Sequence, residues 1–175
     1  QYDPNNPVPT VGGPQLTIPS EPRDQRVVEE RDDVLVFSSQ VLEKPLEVTG
    51  RVSARFSIKS TGGDTDFFAR LCDVYPDGRS FNLCEGVLRT RFREGFDREV
   101  LMIPGTVYPI DIDLWSTSVV FAKGHRLRLQ VTSSSDPGYA PNSNTGARFR
   151  ASRELKTVTN TIYQDASHPS HLDLP

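Results

Sequence analysis

The sequence is poor in residues on which several classes of protein depend. Its 175 residues include only two cysteines, too few for the disulfide framework that holds small secreted domains together. No apolar run approaches the roughly 20 residues of a membrane-spanning helix. No basic and then apolar signal segment stands at the amino end, which favours a cytoplasmic location. A start at Gln1 rather than Met indicates a fragment or a processed piece.

Charge of either sign is not in excess. The chain has 20 basic and 23 acidic side chains and a net charge of −3, which gives no reason to expect nucleic acid or an anionic membrane as a partner. The sequence does contain 14 prolines, and 35% of its residues are hydrophobic. At a length typical of one domain, this composition favours a single β-rich domain, residues 1–175, with proline-containing connections.

Motifs of several catalytic machineries are also missing. The Gly-x-Ser-x-Gly turn that exposes the nucleophile of α/β-hydrolases is absent, as is Ser-x-x-Lys. The phosphate-binding patterns Gly-x-Gly-x-x-Gly and Gly-x-x-x-x-Gly-Lys do not occur. Cysteine–histidine catalysis has only Cys72 and Cys84 to use, and we expect these to be buried, free thiols facing each other on neighbouring strands. We therefore predict no catalytic residue and no cofactor in this chain.

Residues 64–93 predict a β-hairpin around which the remaining strands assemble. Apolar residues alternate before and after a polar loop, at Phe67, Ala69 and Leu71 and then at Phe81, Leu83 and Val87. The Asp77-Gly78 pair in that loop tolerates the positive φ values that tight hairpin turns require. Two strands joined in this way need a larger sheet around them.

Further runs of period two predict about eight antiparallel strands and little helix. Six prolines before residue 23 predict an extended arm over residues 1–33, anchored by Tyr2, Val8, Val11, Leu16 and Ile18, with a solvated charged patch at 29–33. The sandwich would occupy 34–175. Besides the hairpin, its strands are predicted at 34–38, 46–58, 100–103, 107–114, 119–121, 127–131 and 157–163, with a long loop at 133–146 and a weak helical candidate at 151–156. Eight such strands imply two sheets packed face to face as a jelly roll.

Several polar clusters admit both a functional and a structural interpretation. Asp64 and Asp66 beside two glycines could bind calcium, but a carboxylate accepting backbone N–H groups in a turn is the favoured interpretation. Asp111 and Asp113 share one strand face and are expected to be solvated rather than catalytic. His125 follows a turn glycine and is expected to be a structural hydrogen-bonding residue.

The carboxyl-terminal histidines are a second candidate metal site. His168 and His171, with Asp165 and Asp173, have ligand-like spacing. No further His or Cys cluster completes a coordination shell, so an ordered turn is favoured and no metal is predicted. Aromatic residues such as Tyr108 and Trp115 could instead form a carbohydrate site, although at strand spacing such residues more often belong to the core.

Six segments of this sequence together resemble a known family. They are YDPNNPVPTVGG at 2–13, RDDVL at 31–35, DTDFFARLCDVYPDG at 64–78, GHR at 124–126, SSSDPGYAPNSNTG at 133–146 and the closing HPSHLDLP. In this order, over nearly the whole chain, they resemble the carboxyl-terminal domain of α/β-hydrolases of the cocaine esterase and X-prolyl dipeptidyl-peptidase type.

The resemblance implies a jelly-roll β-sandwich of the galactose-binding-domain-like kind. It also implies that the Ser-Asp-His triad belongs to a separate catalytic α/β domain, in the same or a companion chain, which this domain stabilises. The segment after Gly12-Gly13 would form a wall of the acyl pocket through Gln15, Leu16 and Thr17. Of these, Leu16 has the expected apolar character, whereas Gln15 and Thr17 depart from it.

Two alternatives remain open from the sequence. Jelly rolls often bind carbohydrate, so a sugar-binding module is the alternative function. The chain could also be a free-standing subunit, and the sequence leaves room for a homo-oligomer. The substrate of the parent enzyme, and its preference for ester or peptide bonds, do not follow from these residues.

Overall fold

Eight strands and almost no helix make up the computed structural model, which describes residues 1–14, 20–148, 151 and 153–175. A one-turn helix, α1 (Arg26–Glu29), precedes the first strand, and a 3-10 turn (Thr90–Phe92) follows the hairpin. The strands are β1 (Leu35–Ser38), β2 (Leu46–Ser60), β3 (Asp66–Val74), β4 (Ser80–Arg89), β5 (Val107–Phe121), β6 (Arg126–Thr132), β7 (Asn160–Tyr163) and β8 (His171–Asp173).

The strands form two antiparallel sheets that pack face to face. One sheet has the order β1-β6-β3-β4, and in the other β2 lies between β5 and the two short strands β7 and β8. Alternate residues of β2, β3, β5 and β6 fill the space between them, as period two requires. The shared core includes Val52, Phe56, Ile58, Phe67, Leu71, Ile110, Ile112, Leu114 and Val131. The predicted all-β sandwich is confirmed.

The predicted hairpin is β3 and β4, with one difference in register. Gly78 in the connecting loop has φ +88°, as expected of a hairpin turn. A bulge lies between Leu71 and Cys72, so that Leu71 pairs with Cys84 and Cys72 pairs with Asn82. The two cysteines are free and buried as predicted. The prediction that they face each other is wrong, because it needs a turn centred on Gly78, whereas the pairing of Val74 with Ser80 centres the turn on Asp77.

Three other predictions of secondary structure are wrong. Residues 100–103 form no strand. Residues 107–114 and 119–121 are parts of the single strand β5, which continues through a bulge at Trp115. The helical candidate at 151–156 is not helical in its described residues, 151 and 153–156. Among the described residues the only α-helix is α1, which lies in the arm, in the proline-free stretch after Pro22.

The arm packs over the outer face of the β1-β6-β3-β4 sheet. Tyr2 and Val8 are buried anchors as predicted, and Val11 packs against the small apolar cluster of Val8, Val28 and Val34. The predicted anchors Leu16 and Ile18 lie outside the described residues. The charged patch at 29–33 is not simply solvated: Glu29 of α1 is nearly inaccessible, because its carboxylate binds polar groups of the sheet beneath.

Candidate functional site

The residues predicted to line an acyl pocket, Gln15, Leu16 and Thr17, lie outside the described part of the chain. Their described neighbours are held together, since Gly13 N–H donates to the Glu21 carbonyl at 3.2 Å. Gly12 has φ +65°, and a Cβ there would overlap that same carbonyl oxygen. Glycine is therefore required at position 12 by both backbone angle and space.

The returning side of this segment is anchored to the edge strand β4. Asn82 of β4 accepts hydrogen bonds at its Oδ1 from Arg23 N–H at 2.7 Å and from Gln25 Nε2 at 3.1 Å. Gln25 also donates to the Val11 carbonyl at 2.8 Å, and thereby connects the two sides of the segment. Gln25 is fully buried, so its amide fixes the ends of the segment relative to β4.

A buried layer of charged and amide side chains lies beneath the arm. Arg70 Nε donates to Glu85 Oε2 at 2.6 Å, and Arg70 Nη1 donates to Gln25 and Gln130. Gln130 in turn donates to Glu29 at 2.6 Å, and Arg128 pairs with the same carboxylate at 2.6 Å. Two arginines and two glutamates make this layer electrically neutral, which buried charge requires.

One acceptor in this layer is left open. Glu85 Oε1 is buried and has no hydrogen-bond partner among the described residues. It faces Gly13, where a Cβ would lie 3.4 Å away. A cavity of about 180 Å³, lined in part by Gly13, Pro14 and Glu85, adjoins it. The cavity is large enough for water, which commonly satisfies such buried acceptors.

This layer was not predicted, although the sequence carries a signal for it. Strand β3 has apolar residues on both faces, with Phe68 and Cys72 on the face opposite the core residues Ala69 and Leu71. Apolar residues on both faces indicate a strand covered from both sides. An arginine between two such residues, Arg70, is therefore a signal of a buried charge that needs a partner.

A second buried cluster surrounds Asp64 and Asp66. Asp64 accepts hydrogen bonds from the Arg91 backbone and guanidinium at 2.8–3.0 Å, and also from Thr90 and Asn142. Asp66 pairs with Arg89 through two 2.8 Å bonds and accepts a third from Asn142. Burial raises the pKa of Asp66, an effect that the hydrogen bonds from Arg89 oppose.

The acidic residues considered as metal ligands are thus occupied by donors. The backbone N–H bond that Asp64 accepts is the interaction favoured from the sequence, but the arginine pairs were not foreseen. Within the described residues, no group of three or more His, Cys, Asp or Glu side chains could hold a metal ion.

Each of the three histidine rings lies beside an aspartate carboxylate. His125 lies 2.8 Å from Asp73 through Nδ1, which confirms its predicted structural role. His168 lies 3.1 Å from Asp165, and His171 lies 3.5 Å from Asp173. In the part of the chain that the structure describes, no histidine ring is hydrogen-bonded to a hydroxyl or a thiol.

The thiols are equally unsuited to nucleophilic chemistry. Burial raises the pKa of Cys72 to about 12 and that of Cys84 to about 11, which suppresses the reactive thiolate.

Asp111 and Asp113, the other acidic pair considered from the sequence, form exposed cross-strand ion pairs with Arg55 and Arg51 respectively. No described helix is long and apolar enough to cross a membrane.

Comparison with known proteins agrees with this geometry. A family model described as the X-Pro dipeptidyl-peptidase C-terminal non-catalytic domain matches residues 2–173. The cocaine esterase of Rhodococcus sp. (strain MB1 Bresler) is 47% identical over 178 residues, which cover 99% of this chain and 31% of that protein.

Solved structures of similar proteins share the fold over the same span. An aminopeptidase from a marine-sediment Thaumarchaeota archaeon superposes with a TM-score of 0.90 at 31% identity, over 99% of this chain and 32% of that one. An α-amino acid ester hydrolase gives a TM-score of 0.90 at 28% identity, over 99% and 31% of the two chains. The chain thus spans about a third of the length of these relatives. It belongs to the family of X-Pro dipeptidyl-peptidase C-terminal non-catalytic domains.

Proposed function

We propose that this domain stabilises the catalytic α/β domain of a serine hydrolase that cleaves esters or amides, and contributes one wall of its acyl pocket. The catalytic domain would lie in the same polypeptide, with a companion chain as the other arrangement. The similar proteins, about three times as long, are named as an esterase, an aminopeptidase and an α-amino acid ester hydrolase. All three names denote acyl transfer from an alcohol or an amine to water.

The observation that carries the pocket-wall proposal is the anchoring around Gln25. This buried amide donates to Val11 and Asn82, and so fixes the described residues on either side of the segment between Gly13 and Glu21 relative to β4. A wall that orients an acyl group needs such a rigid base, because small displacements of a bound substrate reduce the rate strongly.

The chemistry itself is assigned to the catalytic domain. A serine there would attack the acyl carbonyl, an oxyanion hole would stabilise the tetrahedral intermediate, and water would release the acyl group. The side chains of the present chain would act only by contact with the acyl group, which affects specificity rather than the bond-breaking step.

A direct test of the non-catalytic assignment is to assay the purified chain on p-nitrophenyl acetate. We expect turnover no faster than that of a heat-unfolded sample. Turnover well above this control would overturn the assignment. A Gly-x-Ser-x-Gly motif in the coding sequence upstream of Gln1 would support a single polypeptide.

The pocket wall is tested by Leu16→Ala in the full-length hydrolase. We expect kcat/KM for a bulky apolar acyl ester to fall by about tenfold, the value typical of lost apolar contact with substrate, with a much smaller change for an acetyl ester. Val27→Ala, an exposed arm position, is the control and should change neither. Equal effects of Leu16→Ala on both esters would contradict a role in the acyl pocket.

A carbohydrate-binding module is the second candidate, favoured by the exposure of Trp115, 72% of which is accessible. Tyr108, the other candidate platform residue, is half-buried under the Arg93 guanidinium at 4.5 Å from its ring centroid. Thermal-shift screening with oligosaccharides distinguishes the candidates, since only a sugar-binding module would be stabilised.

A further inference from the structure

A row of aromatic side chains beside the sandwich has no role in the proposed pocket wall. We define the aromatic groove as Val87, Phe92, Phe96, Trp115 and Tyr139, which line two adjoining depressions of about 640 and 470 Å³. Phe96 is 85% exposed and Trp115 is 72% exposed. Large exposed apolar side chains grouped on one surface are a common feature of interaction sites.

The backbone at Trp115 is strained, and the ring of this residue is exposed. Trp115 has φ +68°, a left-handed conformation that costs a bulky residue about 1–2 kcal/mol. The β5 bulge holds it there, and its N–H donates to Asp113 Oδ1 at 3.0 Å. A large aromatic residue kept exposed in a strained conformation indicates a contact made outside this domain.

The aromatic groove is continuous with the proposed pocket wall along strand β4. Asn82 and Glu85 of β4 lie beside Gly13 and Glu21, the described residues at the two ends of the pocket-wall segment. Gly86, the next residue, begins the stretch that lines the groove. A body that covers the pocket-wall segment therefore meets the groove on the same edge of the sandwich.

The smaller depression of the groove is also connected to the start of the domain through Asn142. Tyr2 donates to the Asn142 carbonyl at 3.2 Å, and the Asn142 side chain donates to Asp66, which lines the smaller depression. In a C-terminal domain, the rest of the polypeptide joins on the amino-terminal side, and Tyr2 on that side is connected to this surface by these two hydrogen bonds.

The polar groups of the groove are already paired. Asp66 is bound by Arg89 and Asn142, and Asp113 by Arg51 and the Trp115 N–H. A sugar site needs free polar groups around its aromatic platform to recognise hydroxyls. The combination of exposed rings and paired polar groups fits the apolar face of a protein better.

We infer that the aromatic groove is the surface that binds the catalytic domain of the same polypeptide, with Phe96 and Trp115 as the anchoring side chains. This inference rests on the proposed function, because it requires a catalytic domain to be present. Aromatic anchors of this kind carry much of the energy of protein interfaces.

The test measures maleimide labelling of Phe96→Cys and Trp115→Cys in the full-length hydrolase, read by mass spectrometry of the individual peptides. Val120→Cys, an exposed position on the outer face of β5, is the matched control. Protection is the labelling rate of each variant in denaturant divided by the labelling rate of the same variant in its folded state. We expect the protection of Cys at positions 96 and 115 to exceed that at 120 by about tenfold or more.

Four results would each overturn the inference. Protection at 96 and 115 no greater than at 120 would mean that the groove is open, and protection gained only with added oligosaccharide would favour the sugar-binding module. Protection lost on about hundredfold dilution would identify a second copy as the occupant. Protection that is retained when the domain is labelled without the catalytic domain would mean that the domain itself covers these two positions. None of these readouts depends on activity, so a failed pocket-wall assay leaves the labelling result interpretable.

Discussion

Two aspartates of this domain show how the surroundings of a carboxylate set its energetic role. Asp64 is completely buried and faces the nearly buried Arg91, whereas more than half of both Asp111 and Arg55 is accessible to solvent. Buried pairs are destabilised strongly when one partner is removed, because the other charge is left without compensation. Exposed pairs contribute little, since water and salt screen them.

We therefore expect Asp64→Asn to lower the free energy of unfolding by about 3 kcal/mol. The amide removes the charge that compensates Arg91, and the half-exposed Glu99 at 3.2 Å replaces it only in part. Urea denaturation measures the effect. Asp111→Asn is the matched control and should leave the midpoint unchanged. A loss below about 1 kcal/mol for Asp64→Asn would show that the pair is not an essential part of the fold.

The two buried thiols predict a loss of stability at alkaline pH. Burial raises the pKa of Cys72 to about 12 and that of Cys84 to about 11, from an ordinary 9.0. Between pH 9 and these values the folded thiol keeps its proton and the unfolded thiol loses it. The stabilisation is complete below pH 9 and is lost as the pH rises toward 11 and 12, by about 1.4 kcal/mol per pH unit for each thiol.

Urea denaturation at pH 9, 10 and 11 measures this slope. Cys72→Ala should make the slope shallower by about 1.4 kcal/mol per pH unit, whatever the substitution does to stability at neutral pH. Burial also raises the pKa of Tyr2, so a slope of the same sign remains in the variant. An unchanged slope in Cys72→Ala would contradict the burial of that thiol.

At the scale of elements, period-two patterns predicted strands wherever one face was buried and failed where the backbone departs from ideal pairing. Within β2 and the first half of β5, alternate apolar residues such as Phe56 and Ile110 do face the core, although Leu46 at the start of β2 is exposed. The bulge at Trp115 interrupts the alternation, and so one strand was predicted as two. The helix α1 escaped prediction because four residues carry too little periodicity to be recognised.

The contact between the edge strands β4 and β5 depends on a single glycine. A Cβ at Gly86 would overlap the backbone oxygen of Asp113, which has no flexible atom to move aside. We expect Gly86→Ala to destabilise the domain by about 2–3 kcal/mol through overpacking. At Gly63 an added Cβ would lie 3.6 Å from the Met102 carbonyl, an ordinary contact. Gly63→Ala is therefore the control in thermal denaturation, and equal effects of the two substitutions would refute the close approach.

At the scale of the whole molecule, the sequence and its family resemblance predicted the two-sheet architecture but not the dependence of one sheet on the arm. The prolines predicted an extended segment over the body; Tyr2 and Val8 of this arm are buried, whereas Arg26–Glu29 form a helix. The prolines did not indicate that Gln25 would accept a hydrogen bond from Arg70, or that Glu29 would accept one from Gln130. Such pairings join residues about 45 to 100 positions apart, and no local pattern encodes them. The pocket-wall residues Gln15, Leu16 and Thr17 remain a prediction.

Because the arm satisfies buried charges of the sheet, we predict that arm and sandwich unfold together. Cys72 lies beside Ser80, whose hydroxyl binds Glu29 of α1, so its reactivity reports the arm-covered face. Cys84 belongs to the core between the sheets and reports the sandwich. Thiol labelling is measured across a urea series, for Cys72 in the Cys84→Ala variant and for Cys84 in the Cys72→Ala variant. In each variant, the urea midpoint of labelling should coincide with the midpoint of unfolding measured by fluorescence. Labelling of Cys72 well before that transition, with Cys84 still protected, would mean that the arm detaches first and that the buried layer tolerates its loss.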